Sequence, residues 1–344
     1  SGGSNTTGQN NTALGAYVLD SNTTGGDNVA IGKSALGVST TGGANTAVGI
    51  NSLDANTTAS NNTAVGAHSL TANTTGSENT SLGRSALQNT TTAQYNVAIG
   101  YNAGLSATTG GLNTIIGGLA GDAITTAEYN VAIGTSAMGA NTLGDANVAI
   151  GGNSLESFNV TSNADTYNTV VGYNSGAGTT TGVRNTFIGG QAGQANTTAS
   201  DNTAVGRAAL PSCTTGQTNV AIGNLALDAL TTGANNTALG SSTNKITTTG
   251  SSNTMMGMLA RASANNLDQE IVIGYNSVGK GATTAFINPG TGPVFAGNNA
   301  TAFSQTSDRR IKKDIIPNNK GLESIKQIEP KYFYYKSDEE MQAE

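Results

Sequence analysis

The sequence contains few of the residues that stabilise most proteins of its size. Its 344 residues include no Trp, one Cys, one His and five Pro, and only 10% of its side chains are charged. A single Cys excludes an intrachain disulfide framework, and without a Cys/His cluster we expect neither a metal site nor a cofactor. The net charge of −6 argues against a nucleic-acid partner, because phosphates are bound by basic surfaces. No apolar run reaches the ~20 residues of a membrane span, so we expect no membrane insertion.

Small residues make up most of the chain. Gly alone accounts for 47 positions, and Ala, Ser, Thr and Asn are abundant, while the hydrophobic share is 36%. The shortage is therefore one of large side chains. The length would allow two domains, but side chains this small cannot easily fill two conventional cores at native packing density. The composition instead favours a thin core that is repeated many times.

A pentad of the form Asn-(Thr/Val)-x-apolar-Gly recurs along the chain. There are sixteen copies, and fourteen of the fifteen intervals between them are seventeen residues long; the exception is twenty-one residues, from Asn147 to Asn168. The copies begin at Asn11, Asn28, Asn45, Asn62, Asn79, Asn96, Asn113, Asn130, Asn147, Asn168, Asn185, Asn202, Asn219, Asn236, Asn253 and Glu270. Such regular spacing indicates a repeat architecture.

The repeat unit predicts one coil of a β-solenoid. The pentad is a short β-branched strand stopped by Gly, a second short strand is expected around the following Ala-Leu pair, and Thr-Thr-Gly is a turn. Stacked coils would align the Asn residues into an amide ladder, and the Gly fits a position that needs positive φ or a close approach of the next coil. The fourth position, apolar in every copy, is expected to be the main column of the thin core. We therefore predict an all-β parallel β-roll over residues 1–274.

The pentads that read Asn-Val-Ala-Ile-Gly carry a resemblance to a known family. They begin at Asn28, Asn96, Asn130, Asn147 and Asn219. They resemble the repeats of trimeric autotransporter adhesin heads, and related repeats occur in phage tail fibres. The resemblance implies a homotrimeric β-roll. A shared axis would also bury the apolar faces that one coil cannot bury alone.

The pattern ends after Gly274, and the charge of the chain changes at Ser307. Residues 275–306 are a Gly/Pro-rich connector. Residues 1–306 contain seven Lys and Arg, whereas residues 307–344 contain eight. Leu322, Ile325 and Ile328 are spaced for one face of a helix that ends at Pro330, so a short helical segment is expected here.

Two elements of this C-terminal segment carry a second resemblance. The run from Ser307 to Ile315 and the later run from Ile328 to Tyr335, with its Pro-aromatic ending, resemble the start of the endosialidase-type intramolecular chaperone. That family sits at the C-terminus of phage tail fibres and tailspikes, assists trimerisation and is often released by self-cleavage. The resemblance implies Ser307 as nucleophile, Asp308 as its motif neighbour and Lys312 as base, since a Ser hydroxyl needs a base and a partly desolvated Lys can serve. The alternative is a solvated charged turn.

These features favour a segment of a phage tail fibre on the virion. Its expected role is structural and adhesive, with a homotrimer, other tail proteins and a bacterial surface receptor, either polysaccharide or outer-membrane protein, as partners. No enzyme activity is expected apart from single-turnover autoproteolysis. The alternative is a trimeric adhesin on a bacterial surface.

Three further surface hypotheses come from the repeat. The insertion between Asn147 and Asn168 suggests a receptor contact through Phe158 and Tyr167, although packing is the alternative. Acids at the tenth position, such as Asp20 and Asp54, would lie about 10 Å apart, which allows a polysaccharide hydrolase, although solvated surface explains them as well. The Thr-Thr pairs allow an ice-binding array, although turn chemistry also explains them. Tyr95, Tyr129 and Tyr167 precede repeat Asn residues and are interpreted first as packing.

Overall fold

The computed structural model describes residues 3–290, 294–296 and 304–305. These residues form a parallel β-solenoid without any helix among them, which confirms the predicted fold class. We number the coils 1 to 16 from Asn11 and the residues of each coil from position 1, the repeat Asn. The C-terminal helix expected around Leu322 to Ile328 lies outside the described residues.

Each coil contributes one three-residue strand at positions 2 to 4. The sixteen strands are Thr12–Leu14, Val29–Ile31, Thr46–Val48, Thr63–Val65, Thr80–Leu82, Val97–Ile99, Thr114–Ile116, Val131–Ile133, Val148–Ile150, Thr169–Val171, Thr186–Ile188, Thr203–Val205, Val220–Ile222, Thr237–Leu239, Thr254–Met256 and Ile271–Ile273. Each strand pairs in parallel with that of the next coil, so that Ala30 faces Ala47 and Ala47 faces Ala64. Identical positions therefore lie above one another along a single sheet.

The sheet continues past residue 274, into the segment interpreted from the sequence as a connector. Ala285–Ile287 pairs in parallel with Ile271–Ile273. Val294–Ala296 then pairs antiparallel with Ala285–Ile287, and Ser304–Gln305 pairs antiparallel with Val294–Ala296. A separate two-stranded pairing joins Gly144–Asp145 to Ala164–Asp165.

The second strand expected around the Ala-Leu pair is absent from the described coils, which turn there instead. Positions 7 and 9 adopt the left-handed conformation, as at Asn51 with φ 53° and Leu53 with φ 50°. Two left-handed residues so close together cannot belong to an extended strand. Backbone hydrogen bonds still join the coils, since Leu53 N donates to Ser69 O at 3.1 Å. The turn side is thus held by the same seventeen-residue register as the sheet.

The Gly at position 5 has the conformation that the sequence predicts. Its φ runs from 120° at Gly257 to 142° at Gly49. A Cβ added to Gly117 would lie 2.5 Å from the carbonyl oxygen of Gly134 in the next coil. Both the φ value and this close approach require Gly.

The repeat Asn residues form the expected ladder, but each side chain bonds mainly to backbone groups and not to the next amide side chain. Asn202 Oδ1 accepts from Asn219 N at 2.8 Å, and Asn202 Nδ2 donates to Gly216 O at 2.8 Å within its own coil. The first of these bonds recurs at every step from Asn28 to Glu270. Glu270 ends the ladder, and its carboxylate accepts from Ser263 N and Gly281 N.

The expectation that position 4 supplies the core is wrong. The side chains at positions 3, 8, 9 and 12 are buried, whereas those at positions 2 and 4 point outward. Leu82 and Leu239, both at position 4, are 47% and 43% exposed. The reason is the period of two along a strand: position 3, usually Ala, points inward, so its two neighbours point outward.

Core volume is balanced between positions 3 and 9. The commonest pairing is Ala at position 3 with Leu at position 9, as in Ala47 with Leu53. In three coils a larger residue at position 3 occurs with Gly at position 9: Ile115 with Gly121, Val170 with Gly176 and Phe187 with Gly193. A Cβ at Gly193 would lie 2.6 Å from Phe187 Cδ2. In these coils one large side chain therefore fills this part of the interior.

This balance predicts a rescue. Phe187→Ala should destabilise the rod by about 3–5 kcal/mol through the cavity it leaves, and Gly193→Leu should destabilise it by overpacking. The double variant restores the Ala/Leu pair of other coils and should be more stable than either single variant in thermal unfolding followed by circular dichroism. Gly118→Leu is the control, because nothing lies within 4 Å of a Cβ there. Additive losses in the double variant would contradict the proposed compensation.

A second prediction concerns the Asn ladder. Asn202→Ala leaves Asn219 N and Gly216 O short of partners and should lower the free energy of unfolding by about 1–3 kcal/mol for each group. Asn202→Asp keeps only the acceptor and should also destabilise the rod. Asn224→Ala, which removes an exposed amide that also donates to a backbone carbonyl, is the matched control. Equal unfolding temperatures for Asn202→Ala and Asn224→Ala would exclude a stabilising ladder.

Candidate functional site

The insertion lies in coil 9, where the sequence predicts a receptor contact. Phe158 cannot make this contact. Its side chain is fully buried and belongs to the core. Phe158 occupies position 12, which is buried in coils 1 to 14, and it therefore precedes the extra residues. Gly144 makes room for the ring, since a Cβ there would lie 2.6 Å from Phe158 Cε1. The prediction that Phe158 contacts a receptor is therefore wrong, and counting repeat positions would have excluded it.

The extra residues of coil 9 lie against the preceding coils. Thr142 Oγ1 donates to Asn159 Oδ1 at 2.6 Å, and Thr126 Oγ1 donates to Asn163 Oδ1 at 3.0 Å. Thr166 Oγ1 donates to Asn147 Oδ1 at 2.8 Å, which ties the end of the insertion to the Asn ladder. The insertion is thus anchored on the side of the rod.

Tyr167 ends the insertion and lies on the surface. It is 57% exposed, and its hydroxyl donates to Asp165 Oδ2 at 2.6 Å. This hydrogen bond and the charge of Asp165 raise the pKa of Tyr167, so the phenol stays a donor. Burial, and to a smaller degree the charge of Asp165, raise the pKa of Asp145.

Tyr167 shares its column with Tyr95 and Tyr129. All three directly precede a repeat Asn, the place that we call position 17 in every coil, including the longer coil 9. Their φ lies between 51° and 59°, and they are 52%, 59% and 57% exposed in chain order. The interpretation of this column as packing is wrong for the single chain. The left-handed turn at position 17, invisible in residue spacing, directs these side chains outward.

The tenth-position acids line part of an open groove. Asp122 and Glu156, two coils apart, border a space of about 550 Å³ around Gly139. Burial raises the pKa of Asp122, and likewise that of Asp54. The other lining residues are Leu119, Ser136, Ala140 and Ser157. The groove therefore supplies neither an aromatic platform nor a cation for a sugar, and it gives no support to a hydrolase.

The Thr pairs are used inside the fold. At position 13 the hydroxyl donates to the backbone carbonyl of position 13 in the next coil, as Thr40 does to Thr57 and Thr74 to Thr91. In most pairs only the second Thr, such as Thr41 or Thr75, is exposed. One exposed Thr column does not make the two-dimensional array of an ice-binding surface.

The outer sheet face, which we define as positions 2 and 4 of the sixteen coils, is an uncharged surface that runs along the rod. Position 2 is Thr, Val or Ile and position 4 is Leu, Ile, Val or Met, so no coil places a charge there. The neighbouring position 6, in contrast, includes Lys33, Arg84 and Arg207. Fifteen steps of about 4.8 Å make the face roughly 70 Å long. Apolar patches of this size mark interaction sites.

Comparison with known proteins adds one finding. Residues 307–344 match the family model described as chaperone of endosialidase. This confirms the C-terminal resemblance seen in the sequence. No curated protein and no solved structure matches the chain. The chaperone match covers the residues predicted for self-cleavage, Ser307, Asp308 and Lys312, which lie outside the described residues and stay a prediction.

Two further findings concern metal sites and membrane spans among the described residues. No group of three or more His, Cys, Asp or Glu side chains there could hold a metal ion. The described part of the chain also has no helix with the length and apolar character needed to cross a bilayer. Among the described residues, the outer sheet face and the side that bears Tyr167 are the candidate surfaces for function.

Proposed function

We propose that the chain is the shaft or a distal segment of a homotrimeric phage tail fibre, a rod that attaches the virion to a bacterial surface. The observation that carries this proposal is the order of its parts: a chaperone-of-endosialidase segment at residues 307–344 follows a solenoid of sixteen coils. The chaperone segment acts in trimerisation. The rod supplies length, stiffness and a repeated surface.

The outer sheet face is the surface on which three copies meet. Its side chains are apolar or Thr in every coil and half-exposed in the single chain, as Ile188 and Ile222 are. A face without charges avoids the cost of burying unpaired ions. A straight, regular stripe also suits identical copies around one axis, because each step of contact repeats along the rod. Three copies of this chain are therefore its occupants.

The remaining surfaces of such a trimer face outward in three copies. Weak contacts to a repetitive bacterial envelope would then combine into avidity. The receptor and the other tail proteins are partners of these outward surfaces and of the ends of the rod. A trimeric bacterial surface adhesin remains the second candidate, favoured by the Asn-Val-Ala-Ile-Gly pentads alone. The chaperone segment favours the tail fibre.

The interface assignment predicts the effect of charge on the outer sheet face. Ile188→Lys with Ile222→Lys should convert trimers to monomers in native mass spectrometry, because six buried ammonium groups would lack partners. Thr198→Lys with Thr232→Lys, on the exposed Thr column of the same coils, should leave trimers intact. Circular dichroism should show the same β content in both variants. A wild-type monomer, or a trimer that tolerates the Ile variants, would contradict the proposal.

The self-cleavage assignment makes its own prediction. In protein expressed from the full-length gene, Ser307→Ala should abolish cleavage next to residue 307, and Lys312→Gln should slow it, since the hydroxyl then lacks its base. Ser337→Ala is the matched control, because Ser337 also precedes an Asp in this segment. Intact mass measurement reports the products. Unchanged products in Ser307→Ala would remove Ser307 as nucleophile.

A further inference from the structure

The three exposed tyrosines at position 17 are evenly spaced along the rod. Tyr95, Tyr129 and Tyr167 belong to coils 5, 7 and 9, so two coil rises, about 9.6 Å, separate each from the next. Leu112 and Ala146 occupy the coils between them. We call these three side chains the tyrosine ladder. Even spacing of aromatic rings on one side of a rod suits a ligand that is itself a regular, extended polymer.

The backbone fixes the direction of each tyrosine. Position 17 is left-handed in all three coils. In two of them its N–H donates to the coil before it, from Tyr95 N to Ser77 O at 3.3 Å and from Tyr129 N to Gly111 O at 3.4 Å. The next residue is the ladder Asn, which is buried. At Tyr167 the hydroxyl is held by Asp165 as well. Preorganised rings lose little conformational entropy on binding.

Polar groups accompany the rings. Glu128 and Asp145 occupy position 16 of coils 7 and 8, and Asp165 lies opposite Asp145 in the two-stranded pairing of the insertion. The insertion adds the exposed amide of Asn163 beside them. Tyrosine joins an apolar ring face to a polar hydroxyl, and such residues are enriched at binding surfaces. Aromatic faces flanked by acceptors match sugars, whose rings have apolar C–H faces and hydroxyls at their edges.

We propose that the tyrosine ladder binds a neutral, extended polysaccharide whose axis runs along the rod. In extended β-linked chains alternate sugar rings turn the same face to one side, so one disaccharide unit reaches from each tyrosine to the next. The carboxylates of Glu128, Asp145 and Asp165 disfavour an anionic polysaccharide. They also make this side unsuitable as a dry contact between subunits. The proposal rests on the proposed attachment function and names the chemical class of its receptor.

The test is affinity electrophoresis of the whole chain in gels that contain mannan, a galactan, a mixed-linkage β-glucan or, as the anionic probe, polygalacturonate. At least one neutral polysaccharide should retard the wild type. The variant with Tyr95→Ala, Tyr129→Ala and Tyr167→Ala should bind that polysaccharide at least about tenfold more weakly by calorimetry, a loss of about 1.4 kcal/mol. The matched control replaces three exposed tyrosines of position 6, Tyr101, Tyr173 and Tyr275, with Ala and should bind like the wild type.

Several results would overturn the tyrosine ladder. These are retardation by polygalacturonate alone, no retardation by any neutral polysaccharide, or equal binding by the two triple variants. Native mass spectrometry of the same samples gives their oligomeric state. If the ladder variant is monomeric while the wild type and the control are trimeric, the tyrosines form a subunit interface and not a polysaccharide site. If the wild type is trimeric but binds no polysaccharide, the ladder fails and the tail-fibre proposal stands. If the wild type is monomeric but binds polysaccharide through the tyrosine ladder, the trimeric tail-fibre proposal fails and the ladder stands.

Discussion

The seventeen-residue register between coils is the constraint on which the rest of the rod depends. It is set by parallel strand pairing, as between Ala47 and Ala64, and by the Asn ladder, in which each side-chain oxygen accepts the backbone N–H of the next Asn. The amide nitrogen then closes the coil by donating to the carbonyl of position 15, as from Asn62 to Gly76. One buried side chain therefore fixes both the step between coils and the circumference of its own coil. This explains why a chain with so few large side chains can fold.

The register also explains how the rod tolerates unfavourable backbone conformations. A non-Gly residue in the left-handed region costs about 1–2 kcal/mol, and Leu53 and Leu70 at position 9 adopt it. Their side chains are fully buried, and burying a Leu gains about 1.5–3 kcal/mol. The N–H groups of these two Leu residues also keep partners in the next coil, as Leu70 N does in Ala86 O. Burial and hydrogen bonding thus offset the strain coil by coil, and a single isolated coil could not provide either.

The sequence alone predicts the features that depend on repetition, because spacing records them directly. The coil length, the Gly at position 5 and the Asn ladder follow from residue type and period. The direction of the side chains does not, and for that reason position 4 was assigned to the core although Ala at position 3 fills it. Ile is fully buried in proteins more often than Ala, but the narrow interior of each coil favours the smaller side chain at position 3. Phe158 and Tyr167 differ for a similar reason: Phe158 lies at a buried position of the turn side, whereas Tyr167 directly precedes a repeat Asn, where the left-handed backbone directs the side chain outward.

The position of the insertion shows how the two sides of a coil differ in what they can tolerate. Coil 9 has four more residues than its neighbours, yet Asn168 N still donates to Asn147 Oδ1 at 3.1 Å, and Val148 still faces Thr169 in the sheet. All the additional length is accommodated on the turn side, between Phe158 and Tyr167. An equal insertion within positions 1 to 4 would break the ladder and interrupt the outer sheet face, on which the proposed trimer depends. In a rod of near-identical coils the sheet side must therefore remain uniform, and specific recognition has to come from residues such as Tyr129 and Tyr167 that distinguish one turn from the next.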